Sequence, residues 1–364
     1  MKKILSILLA IVMIFGVLAL TACGQEEEEG YEIAVVTDVG QLNDGGFNQG
    51  TYEGAKAYAE KHNKTYAYYQ PANGASATDA DRVEAMNNAI KNGAKVIVTP
   101  GFLQAAALGE VAPANPDVKF IFIDGWDMGM ANVVGISYLE QESGYFAGYS
   151  VVKDGYTNLA GVFGGGNAGG NPACSRFAYG YVLGAKAAAK EMGVEVTAHI
   201  SFKYGATFSA SSDLQAQALG LYNQGTQVIF ACGGSMVNSV IAAADENGGT
   251  CKIVGVDTDQ KDLSSRVITS AVKGLAPSVE WALDKMYGGQ WASLNGGAQL
   301  GAADDATGLP TAEWRFSTFT KAEYETLFNK VKSGSITITA PADFTLASYT
   351  SLTEAGVITV TAEE

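Results

Sequence analysis

The chain has 364 residues, of which 38 are acidic and 23 basic for a formal charge of −15, and 47% of its side chains are hydrophobic. That is apolar material enough for two domains with their own cores, which excludes a disulfide-stapled miniprotein. No basic stretch beyond the first three residues could face nucleic-acid phosphates, and two histidines with four cysteines in no ligand spacing give no metal signal.

In chain order, the first segment is MKKILSILLAIVMIFGVLALTAC. Two lysines, an apolar run from Ile4 to Leu20 and small residues before a cysteine make residues 1–22 a secretory signal peptide. An uncleaved transmembrane helix is the alternative, since the run is near the lower limit for spanning. Leu20-Thr21-Ala22-Cys23 resembles the lipobox of bacterial lipoproteins. This implies a diacylated Cys23 and a lipid anchor on the extracytoplasmic face of the cell membrane. The acidic GQEEEEG completes a tether over residues 23–30 with nothing to bury. Cys174, Cys232 and Cys251 read as buried small apolar side chains.

Short apolar runs then recur: Ile33 to Thr37, Lys95 to Thr99, Lys119 to Ile123, Val133 to Ile136, Leu159 to Phe163, Val194 to Ser201, Gln227 to Ala231 and Lys252 to Val256. Helical spacing fills 48–63, 78–92, 140–152, 177–192, 211–224, 235–247 and 275–287 between them. Continuous apolar strands alternating with amphipathic helices predict an α/β fold of parallel sheets covered on both faces. One set ends near Tyr138 and another spans Leu159 to Val256, so two doubly wound lobes are expected. Ligands in such sheets bind beyond the carboxyl ends of the strands, where Asp38, Asp124, Gly233 and Asp257 stand. After residue 290 come a Gly/Ala/Asp loop, a helix over 321–334 and short strands to an acidic end.

Motifs for chemistry are scarce. Gly164-Gly165-Gly166-Asn167-Ala168-Gly169 matches GxGxxG after a strand, but Asn171 and Pro172 delay the helix and no ribose-binding carboxylate ends the next strand. A strand-to-helix loop is the expectation, with no cofactor. His62 and His199 read as surface or packing residues, and Asp257-Thr258-Asp259 with Asp262 lacks the glycine and glutamate of a calcium loop. No nucleophile elbow, Walker loop or zinc helix is present, so no catalytic residue is assigned. The strongest local pattern is TDVGQLNDGGFNQGTYEGAKAY, residues 37–58, which sets Phe47-Asn48 at a helix start beyond a strand end.

That segment is similar to the opening motif of the basic membrane lipoprotein family, the purine nucleoside receptors of ABC transporters. The resemblance continues through KFIFIDGWDMGMANVVGISYLEQESGYFAGYSVV (119–152), YGATFSAS (204–211), VIFACGGSMVNSVIAAADENGG, IVGVDTDQ and VITSAVKG, covering about residues 31–290. It implies a type I periplasmic-binding-protein fold whose chain crosses between lobes near Leu139, near Lys273 and after about 300. The lobes would be 31–139 plus about 274–300, and 140–273 plus about 301–364. It further implies a pocket in which Phe47 and Phe208 sandwich the base, while Asn48 and Asp124, with Asp38 nearby, bond base or sugar edges. Asp257 would accept the ribose hydroxyls, Gly233 would let backbone approach the sugar, and Lys273 would reach the ribose oxygens while balancing Asp257. Adenosine, guanosine or inosine would be the ligand, and an ABC permease with its ATPase subunits the partner, with neither metal nor cofactor. The alternatives are a receptor of the same fold for a simple sugar or other small ligand, and an exported nucleoside-processing enzyme.

Overall fold

The computed structural model describes residues 30–39 and 41–364; the expected signal peptide and Cys23 lie outside them. Six strands share one sheet: β1 (Ile33–Val36), β2 (Tyr66–Tyr69), β3 (Val96–Pro100), β4 (Lys119–Ile123), β5 (Val133–Tyr138) and, far along the chain, Gly297–Leu300. The second sheet holds β6 (Asn158–Phe163), β7 (Val196–Ser201), β8 (Val228–Cys232), β9 (Lys252–Asp257) and β10 (Val267–Lys273). With Gly297–Leu300 as β11, Thr307–Gly308 as β12 and Ile358–Glu363 as β13, the orders are β11-β5-β4-β3-β1-β2 and β12-β10-β9-β8-β6-β7-β13. Every pairing is parallel except that of β10 with β12.

The apolar runs are continuous because both faces of each sheet are covered. In the first sheet Ile33, Val35, Val96 and Val98 point one way, under helices α1 (Phe47–Lys61) and Leu275–Tyr287. Ala34, Val36 and Ile97 point the other way, under α2 (Asp79–Lys91) and α3 (Ala105–Ala114). The second sheet carries α4 (Glu140–Lys153) and α5 (Pro172–Met192) on one face, and α6 (Ser212–Asn223) and α7 (Met236–Asn247) on the other. Leu275–Tyr287 is α8, Lys321–Lys332 is α9 and Leu346–Thr350 is α10.

Three connections join the lobes. β5 leads through Leu139 into α4, whose Phe146 belongs to the second lobe's core. β10 leads through Gly274 into α8, whose Leu275 and Val279 belong to the first. β11 leads through Gly301 to β12 of the second sheet. Beside the first connection, α4 and α5 pack at backbone contact: a Cβ at Gly148 would lie 1.9 Å from the Tyr181 carbonyl oxygen, and one at Gly184 2.0 Å from that of Tyr145. Any side chain at either glycine would push the helices apart.

Several elements depart from the sequence expectation. Helix α5 starts at Pro172, five residues before the expected 177, because the Asn171 side chain accepts the Cys174 N–H and Pro172 opens the first turn. Helix α3 was not expected, since Gly109 and Pro113 interrupt its alanines; β2 and β10 were not expected either, since tyrosines in one and Thr269, Ser270 and Lys273 in the other break the apolar pattern. Cys174, Cys232 and Cys251 are buried and free. Among the described residues no helix is long and apolar enough to cross a membrane.

Candidate functional site

Between the lobes lies a cavity of about 490 Å³, within the ~300–1,000 Å³ usual for small-molecule sites. From the first lobe Asp38, Phe47, Asn48 and Asp124 line it, and from the second Phe208, Gly233, Asp257 and Lys273. Phe47 and Asn48 open helix α1, and the others stand at or beyond the carboxyl end of a β-strand. Phe47 opens α1 against the first core, and Phe208 packs on the second.

The local sequence explains how these groups are held. Asp44 caps α1: its two oxygens accept the N–H groups of Gly46 (2.8 Å), Asn48 (3.0 Å) and Gln49 (3.2 Å). Burial pushes its carboxyl above the usual range despite those donors. Asn48 is almost wholly buried and spends its amide on neighbours, donating to Asp38 Oδ1 (3.1 Å) and Asp44 Oδ2 (3.2 Å). Its chemistry here is to fix the Asp38 carboxylate.

Asp124, Phe208 and Asp257 all adopt left-handed backbone, with φ of 57°, 55° and 66°. For a phenylalanine this conformation costs of the order of 1–3 kcal/mol and persists only where the surroundings impose it. Here two glycines shape the bed of the ring. A Cβ on Gly164 would meet Phe208 Cε1 at 2.3 Å, and one on Gly233 would meet Phe208 Cδ1 at 3.2 Å. In the Gly-rich run after β6, Gly164 therefore makes room for an aromatic side chain.

Lys273, at the end of β10, joins the carboxylates of the two lobes. Its side chain is 3% exposed, with Nζ 2.7 Å from Asp124 Oδ2, 3.5 Å from Asp257 Oδ1 and 3.7 Å from Glu140 Oε1. Nζ also lies 5.0 Å from the centroid of the Phe47 ring. Burial works against the ammonium, but Asp124, Asp257 and Glu140 outweigh it and hold Lys273 well above the usual lysine range. Burial raises Asp124 against the pull of Lys273, and it pushes Asp257 up to about 7. Asp124 Oδ1 is buried with no hydrogen-bond partner.

Sequence reasoning missed Glu140, Arg176 and Asp44. Glu140, wholly buried, pairs with the partly exposed Arg176. The lobes also touch at the mouth, where Gly45 O accepts from Thr258 Oγ1 (3.0 Å) and Gln260 Nε2 (3.1 Å). His62 stacks on Tyr58, and His199 bonds Thr361 across β7 and β13; both are remote from the cavity. Among the described residues no group of His, Cys, Asp and Glu could hold a metal ion.

Residues 31–340 match the sequence profile of Bmp, described as ABC transporter substrate-binding protein PnrA-like. The chain is 28% identical to the "ABC transporter nucleoside-binding protein BmpA" of Lactococcus lactis subsp. cremoris, over 75% of this chain and 82% of that protein. It is 29% identical to "Basic membrane protein D" of Borreliella burgdorferi, over 86% and 88%. In fold it is similar to an ABC transporter solute-binding protein from Aeropyrum pernix K1, with a TM-score of 0.71 and 22% identity over 86% of this chain and 94% of that one. Two parallel-sheet lobes around one cleft and a family match over most of the chain lead to one conclusion: the protein belongs to the PnrA-like (Bmp) family of ABC transporter substrate-binding proteins, which are solute receptors and not enzymes.

Proposed function

We propose that the protein binds a purine nucleoside, adenosine, guanosine or inosine, between its lobes and presents it to the permease and ATPase subunits of an ABC importer. A lipid on Cys23 would hold it at the extracytoplasmic face of the cell membrane, and the lobes, 31–139 plus 274–300 and 140–273 plus 301–364, would close over the ligand about their three connections. The observation that carries this reading is the meeting of two phenyl rings from opposite lobes with a buried carboxylate–ammonium cluster in one cavity.

Phe47 and Phe208 clamp the base, each stacking contact contributing ~0.5–1.5 kcal/mol beyond area burial. Ionised Asp257 accepts the ribose 2′ and 3′ hydroxyls, a geometry suited to a vicinal diol. Asp124 and the Asn48-fixed Asp38 take donors on base or sugar, and Gly233 admits the sugar to the backbone. Lys273 keeps the acidic wall compensated. The Lactococcus relative named for nucleoside binding supports the same choice. Mass spectrometry of small molecules released on denaturing the purified protein tests it: a purine nucleoside is expected, and a plain sugar would replace the base clamp with a sugar site.

A further inference from the structure

Three carboxylates share two cations at this site, and they differ in where they stand. Asp124 belongs to the first lobe and faces the cavity. Asp257 belongs to the second lobe and also faces it. Glu140, one residue beyond the first interlobe connection, is 0% exposed and does not line the cavity. Arg176 on α5 donates to Glu140 Oε2, while Glu140 Oε1 has no hydrogen-bond partner and points at Lys273 from 3.7 Å. Helix α4 and β10 both pack in the second lobe, so Glu140 and Lys273 travel together when the lobes part, and Asp124 withdraws.

A buried ammonium left alone is costly, and it keeps a partner in every populated state. Asp257 stays beside Lys273 on the same lobe, 3.5 Å away, but it faces the cavity and is shared with the solute, whereas Glu140 Oε1 has no other partner and stands outside the cavity. We propose that Glu140 is a hinge counter-ion: it holds the Lys273 ammonium when the lobes part and yields it to Asp124 when they close. The unpartnered Oε1 is the oxygen kept for the open state. The tight α4–α5 contact at Gly144, Gly148, Gly180 and Gly184 gives the Glu140–Arg176 pair a rigid base from which to act. Glu140 is thus a positioning residue that sets the balance between open and closed receptor. This rests on the closing motion proposed above, but not on which solute is bound.

The test reads lobe separation in the full chain without solute, by energy transfer between labels on exposed Tyr68 of the first lobe and exposed Met192 of the second. Glu140→Gln keeps the shape and leaves Lys273 only Asp257 when the lobes part, so pairing with Asp124 in the closed form is favoured. The solute-free protein is expected to shift toward the closed distance, and adenosine association to slow roughly tenfold as the open fraction shrinks. Asp124→Asn should shift the distance the opposite way. If Glu140→Gln does not fold, Glu140→Asp keeps the charge for Arg176 but withdraws it from Lys273 by one methylene, and a smaller shift toward closed is expected. A solute-free distance equal to wild type in whichever of the two Glu140 variants folds would overturn the proposal. A shifted distance with no adenosine binding in any variant would uphold Glu140 and instead remove the nucleoside assignment.

Discussion

Gly164 lies against the Cδ1–Cε1 edge of the Phe208 ring, so close that a Cβ there would stand 2.3 Å from Cε1 and 2.4 Å from Cδ1. Phe208 has left-handed backbone, its ring rests against Gly164 and Gly233, and it cannot keep its place beside a larger residue at 164. Gly164→Ala should therefore weaken nucleoside binding roughly tenfold, about 1.4 kcal/mol, although residue 164 offers no side chain to the ligand. Calorimetric titration checks it, and unchanged affinity would place Phe208 outside the base clamp.

Phe47 makes the matching contact from the other lobe, with the Lys273 ammonium 5.0 Å from its centroid. Phe47→Ala should cost ~1.5–3 kcal/mol of affinity, one to two decades, while leaving the melting temperature of the solute-free protein nearly unchanged. The ring is only partly buried against the first core, so little packing is lost.

Acidity separates binding from stability at Asp257. Its carboxyl is pushed up to about 7 by burial, above its unfolded value of 3.8, so the folded protein retains a proton that the unfolded chain has released between about pH 4 and 7. Solute-free stability should accordingly fall as pH rises through that window. Binding runs the other way, because accepting two hydroxyls requires the ionised form: affinity should be roughly tenfold higher at pH 8 than at pH 6. Asp257→Asn should raise the solute-free melting temperature at pH 8 by about 2–5 °C and abolish most binding. Thermal shift and calorimetry across pH 5–9 read both effects, and affinity flat from pH 6 to 8 would remove the diol role from Asp257.

How much of this was legible beforehand follows from what each residue touches. Strands such as Lys119–Ile123 announce themselves because both sheet faces are covered, and the strand-end rule leads straight to Asp124 and Asp257. Edge strand β2 does not, since Tyr66 and Tyr68 face solvent in part and imitate a loop. Strand β10 hides for the opposite reason, its Thr269, Ser270 and Lys273 being polar yet buried. Within the site, the left-handed backbone of Phe208 leaves no trace in residue type. Glu140 and Arg176 look like an ordinary solvated helix surface until the α4–α5 contact closes over them. The start of α5 was readable, as Asn171 before Pro172 is a cap followed by a first-turn proline.

The proposed lipid anchor on Cys23 has its own test. Cys23→Ser should release the protein from the membrane fraction while leaving nucleoside affinity as in wild type, since the cleft is built wholly from residues beyond the tether. Stable retention by lipid takes two chains, so loss of the thioether-linked diacyl group should be complete. Retention of the variant after washing would favour an uncleaved spanning segment.

The central claim is that one cleft reads both halves of a nucleoside, and thermal shift with a matched set of guanosine, 2′-deoxyguanosine, guanine and ribose tests it most directly. A desolvated acceptor left unpaired costs about 1–3 kcal/mol, so the ribonucleoside should bind one to two decades tighter than the deoxynucleoside, with guanine and ribose weaker than either. The account predicts stabilisation in that order in the wild type and no difference between ribo and deoxy forms in Asp257→Ala. Stabilisation by ribose equal to that by guanosine would contradict it.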